Sequence, residues 1–87
     1  MNLLVIHEKD HSDGEECVLG VAESVEMAEN MIEKYYGKGQ YKEISKNDIR
    51  DSNLEYSKVL EVKGLEDALI DDYKVTITLQ WFQLNQS

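Results

Sequence analysis

The chain has little cysteine, no long apolar run and almost no positive charge in its first third. Each shortage excludes something. Cys17 is the only cysteine, so no internal disulfide can form, there is no C-x-x-C, and a reducing, cytoplasmic setting is expected. No hydrophobic stretch approaches the roughly 20 residues that span a bilayer. The opening MNLLVIHEKD lacks a basic leader, and its apolar part is too short for a secretory signal. From Met1 to Glu33 there are nine acids against one base, Lys9, a net of −8 out of the whole chain's −9. Such a field repels nucleic acid and steers toward basic partners, so no direct nucleic-acid binding is expected.

What is present fits one domain covering residues 1–87. At 87 residues, with 41% hydrophobic and 31% charged, the composition is that of a globular domain with a modest core. Leu3 to Ile6 read as a strand. The polar EKDHSDGEE follows, and its Asp13-Gly14 pair signals a turn. CVLGVA then reads as a second strand, with Cys17, Leu19 and Val21 on one face and Val18, Gly20 and Ala22 on the other. Together they make a hairpin with a floppy acidic tip.

Ser24 is placed to cap a helix, with Glu26 in its first turn, Lys34 in its last and Gly37 as the stop. Val25, Ala28, Met31, Ile32 and Tyr35 form its apolar stripe, and Glu26, Glu29 and Glu33 line the opposite side. QYKEIS reads as a short strand and KNDIRDSN as a loop. LEYSKVLEV alternates, with Leu54, Tyr56, Leu60 and Val62 on one side; Lys58 interrupts and is expected at an edge or snorkelling. GLEDALIDD is a connection with a helical turn around Ala68. The last strand puts Tyr73, Val75, Ile77, Leu79 and Trp81 on one face. Phe82 and Leu84 switch parity, which calls for a bulge or for cover on both faces. The expected fold is therefore α+β: a two-layer, mainly antiparallel sheet in the order β-β-α-β-β-β, with one amphipathic helix on one face.

The stretch His7-Glu8-Lys9-Asp10-His11 spells H-E-x-x-H. On a helix that spacing puts two imidazoles on one metal, with the glutamate as base on the bound water; Glu29 is the nominee for a third ligand. Here His7 continues an extended run, and in a strand His7 and His11 stand about 13 Å apart. A solvated acidic loop is the better reading, with a metal site of His7, His11 and Glu8 as the alternative. The spacing of an EF-hand, a P-loop, a dinucleotide fingerprint and a nucleophile elbow are all missing, so no cofactor is expected. Cys17 is expected in the core rather than as a nucleophile. Tyr36 and Phe82 are the aromatics placed for exposure, and together they suggest an interface.

Gly20, Val21, Ser24, Glu26, Ala28 and Glu29, within LGVAESVEMAENMIEKYYG, carry a resemblance, as does the ending WFQLN. The chain resembles small bacterial and phage domains of unknown function, in which a hairpin leads through a G-V-x-x-S-x-E-x-A-E turn into one helix and further strands. The resemblance implies fold and microbial origin, and no activity. The expected role is a non-enzymatic, acidic protein-interaction module using Glu26, Glu29, Glu33, Glu15, Glu16 and Asp13 to hold a protein with a basic surface, with no membrane contact. The alternatives are a nucleic-acid mimic that blocks a basic groove and a metal-dependent hydrolase. A homodimer is open if the long last strand is a sheet edge.

Overall fold

The computed structural model describes residues 2–48, 53–64 and 71–83. It is an α+β domain with one five-stranded antiparallel sheet and one helix. The elements are β1 (Asn2–Asp10), β2 (Glu16–Ala22), α1 (Val25–Tyr36), β3 (Tyr41–Asn47), β4 (Leu54–Val62) and β5 (Tyr73–Gln83). In space the strands run β2-β1-β5-β4-β3. The two consecutive pairs β1–β2 and β3–β4 flank β5, and α1 takes the chain from one outer strand to the other.

The core lies between α1 and one face of the sheet. Leu4 and Ile6 of β1, Val75, Ile77 and Leu79 of β5, and Leu60 of β4 are fully buried, joined by Tyr56 and Val62. Cross-strand pairs such as Ile6 with Leu79 and Leu60 with Val75 hold them in one layer. Ala28 and Ile32 of α1 close over that layer, and Val25, Met31 and Tyr36 pack at its margin. Small residues let the helix come close: a Cβ added at Gly20 would lie 2.4 Å from the Met31 methyl carbon. Ser24 caps α1, its hydroxyl accepting from the Met27 N–H at 3.1 Å. Gly37 ends it at φ 92°, donating its N–H to the Glu33 carbonyl.

Several expectations change. β5 is the middle strand, paired along its length with β1 and β4, so its edge is not open to a second copy. Its register with β1 runs unbroken through Phe82, which faces away from the helix and is exposed; no bulge in β5 is needed. The irregularity is in β4, between Leu54 and Tyr56, and it turns Leu54 to the side opposite Tyr56. Lys58 is neither at an edge nor snorkelling but buried beneath the helix. A register shift in β2 between Gly20 and Val18 reverses the phase of the strand, so Cys17 shares the helix side with Gly20, Ala22 and Glu8 instead of a face with Val21; near the hairpin end it is exposed and is not a core residue. The helix stripe continues to Tyr36 instead of Tyr35, which is exposed. Ala68, Leu84 and most of the loop after Asn47 lie outside the described residues.

Cavity formation and cap loss should separate cleanly in urea unfolding. Ile77→Ala is expected to cost about 2–5 kcal/mol and Ser24→Ala about 1 kcal/mol. Equal losses would contradict this account of the core.

Candidate functional site

The acidic hairpin tip is built by its own side chains. Asp10 accepts from the Ser12 N–H at 2.8 Å and from the Ser12 hydroxyl at 2.6 Å. The Ser12 hydroxyl and N–H hold the Asp10 carboxyl below its usual value despite a small opposing loss of hydration. Asp13 accepts from the Glu15 N–H at 2.9 Å, the Asp10 N–H donates to the Glu15 carbonyl at 3.0 Å, and Gly14 supplies a positive φ of 73°. The tip expected to be floppy is pinned. Asp13, Glu15 and Glu16 are exposed together there.

The helix acids do not form one row with the tip. Glu26 sits in the first turn of α1, next to the far end of β2, and is exposed. Ten residues of helix separate it from Tyr36, or about 15 Å. Tyr36 in turn bonds Glu8, two residues before the strand end that leads into the tip. Glu33 is half-buried beside Lys34 and Lys38. Glu29 is turned inward: its carboxylate accepts from Lys58 Nζ at 2.8 Å and from the Tyr56 hydroxyl. Glu43 of β3 approaches the same ammonium at 3.6 Å. Lys58 is thus a buried cation between two carboxylates, and Glu29 is engaged within the fold.

This polar cluster sets a titration. Burial acts to raise the Glu29 pKa, but the hydrogen bonds from Lys58 and Tyr56 and the Lys58 charge outweigh it, and the net shift is downward. The Tyr56 hydroxyl is pushed up, first by burial and then by its bond to Glu29. Tyr36 behaves alike through Glu8: burial comes first, and the hydrogen bond to Glu8 adds to it.

The H-E-x-x-H stretch is split by the pleat. β1 is extended through Asp10, so His7 lies opposite Val18 and Thr78 while Glu8 lies opposite Cys17 and Ile77. Glu8 points to the helix side, where it accepts from the Tyr36 hydroxyl; Cys17 Sγ is 3.8 Å away. His11 is in the turn, its Nε2 2.6 Å from Thr76 Oγ1. The two histidines and the glutamate are therefore not brought to one point. Among the described residues no group of three or more His, Cys, Asp or Glu side chains is placed to hold a metal ion. The Cys17 thiol is pushed up, by some loss of hydration first and the Glu8 carboxylate next, which makes it a poor nucleophile.

The sequence reading missed the second face of the sheet. Among the described residues no element packs on it. It carries Val18, Val21 and Phe82, all exposed, and a shallow hollow of about 350 Å³ lined by His7, Lys9, Glu16, Thr76 and Thr78. The His7 Nε2 is buried and unpartnered among the described residues. A strand alternating Val75, Ile77, Leu79 with Thr76, Thr78, Gln80 was the available signal: it describes one covered and one uncovered face. Tyr36, expected at an interface with Phe82, is instead half-buried against Glu8. No helix among the described residues is long and apolar enough to cross a membrane.

Two measurements follow. Glu29 has a lowered folded pKa, so its contribution to stability is present above the ordinary glutamate value and fades as pH falls through it. The gap in urea midpoint between wild type and Glu29→Gln should therefore narrow as pH drops from 7 toward 3, and a gap constant with pH would overturn the assignment. Added zinc or a chelator should leave the melting temperature of the untagged protein unchanged, whereas a chelator-sensitive shift would restore His7 and His11 as a site. No protein-family model, curated protein or solved structure matches this chain, so its own residues carry the functional reading.

Proposed function

We propose that this chain is a non-enzymatic interaction module of bacterial or phage origin that works in the cytoplasm and captures a protein with a basic surface. The observation that carries the reading is the placement of its exposed acids. Asp13, Glu15 and Glu16 project from a pinned tip at one end, and Glu23 and Glu26 project at the other. The turn fixes the tip backbone and the Asp13 carboxylate, so the backbone there has little entropy left to lose when a partner arrives. The origin and location rest on the resemblance of the helix region and on the single cysteine.

The mimic alternative draws less support, because Glu29 leaves a gap between Glu26 and Glu33 where a phosphate-like row needs a charge. The hydrolase alternative needs Glu8 beside His7, and the pleat sends them to opposite faces.

Wild-type protein on a neutral support should capture basic proteins from a host extract and release them as salt rises toward 1 M, where the screening length falls to about 3 Å. Asp13→Lys, Glu15→Lys and Glu16→Lys combined should cut that capture at least about tenfold with the melting curve retained. Capture unchanged by the reversal would sink the reading.

A further inference from the structure

We infer that the outer edge of β2 is a strand-addition site for an extended, apolar segment of a partner that carries basic residues at both of its ends. The inference rests on the reading above and states how the basic partner is held.

Among the described residues β2 pairs only with β1, on one side. Among the described residues, the backbone of Glu16–Ala22 makes no hydrogen bond beyond that pairing. A strand edge of this kind presents alternating N–H and C=O groups that another extended chain can complete. The two outer strands of the sheet are not equivalent. β3 displays Lys42, Glu43 and Lys46 along its length, the charged side chains that discourage pairing. Between Glu16 and Ala22, β2 has no charge at all, and its Val18 and Val21 are 56% and 46% exposed. An added strand would complete the backbone bonds and cover these two valines on the open face.

The acids decide what that strand must be. The tip cluster of Asp13, Glu15 and Glu16 stands at one end of β2, and Glu23 and Glu26 stand at the other. A strand laid along β2 meets carboxylates at both ends whichever way it runs, so lysine or arginine at both ends is matched in either direction. A second β2 is a poor occupant, since its acids meet acids in both orientations. β3 of a second copy offers lysines, but each copy carries a net −9, and the register of β3 shifts between Glu43 and Ser45. The shift in β2 between Gly20 and Val18 sets the level at which the added strand must break its own register.

The test uses the full chain labelled with nitrogen-15 and three synthetic peptides. The first alternates valine and threonine and has paired lysines at each end. The second is the same peptide N-methylated along its central backbone, and the third has glutamates in place of the lysines. The lysine peptide should bind and slow hydrogen exchange at β2 amides. The N-methylated form should bind at least about tenfold more weakly, having lost several backbone hydrogen bonds, and the glutamate form should not bind. Equal binding of the two lysine peptides, with β2 exchange unchanged, would overturn the edge site while leaving the basic-partner reading intact. Absence of lysine-peptide binding alongside tip-dependent capture of basic proteins would do the same. Absence of both would overturn both. Protection of β2 amides that grows with protein concentration alone would make a second copy the occupant and overturn the proposal.

Discussion

One connection, the segment that holds α1, has to carry the chain from one outer strand of the sheet to the other, and the helix is held to the sheet along the way. α1 has 12 residues, about 18 Å, and it packs chiefly over β2 and β1, running from the Ala22 end of β2 to Tyr36 at Glu8. The apolar stripe of α1 is narrow, with Ala28 and Ile32 as its fully buried members, and it runs out before β4. There Glu29 meets the sheet instead, and the sheet answers with Lys58 and Tyr56. A buried ion pair of this type adds little net stability, because both charges lose water. What it supplies is position: Lys58 is fixed in β4 beside Glu43, and its hydrogen bond to Glu29 ties the helix to the sheet at that point.

The same economy explains which parts of the fold could be read from the residues. The helix was legible at both ends, because Ser24 and Gly37 are local signals whose chemistry does not depend on the rest of the chain. The central strand was legible as a strand, since Val75, Ile77 and Leu79 alternate with Thr76, Thr78 and Gln80. Its place in the sheet was not, because pairing partners far apart in sequence leave no local mark. Breaks of register were equally hidden. The shifts at Leu19 and Glu55 each reverse a parity, and that is why Cys17 was grouped with Val21 and Leu54 with Tyr56, although each pair is split between the two faces. Lys58 stood out as an intruder in an apolar strand, and Glu29 as part of a charged row. That each is the other's partner follows only from tertiary placement.

Charge in this molecule does two different jobs. Glu8 and Glu29 are drawn into hydrogen bonds with tyrosines that tie helix to sheet, and they belong to the architecture. The tip and the start of the helix keep their carboxylates in water. A count of acids along the first third of the chain sees one block; the fold divides it into an internal set and two external sets, one at each end of β2. The sequence-level charge argument was correct about the excess and silent about that division.

The position of β5 has a consequence for how the molecule assembles. The pairs β1–β2, β3–β4 and β4–β5 each join neighbours in the chain. The remaining pair, β1 with β5, brings Asn2 opposite Gln83. Closure across that separation carries a loop entropy that no local contact offsets beforehand. Because β5 also pairs with its chain neighbour β4, the one strand pairing among the described residues between distant parts of the chain is that of β5 with β1, which joins the β3–β4–β5 meander to the β1–β2 hairpin. Without that pairing, the facing edges of β1 and β5 would be as open as the outer edges of β2 and β3.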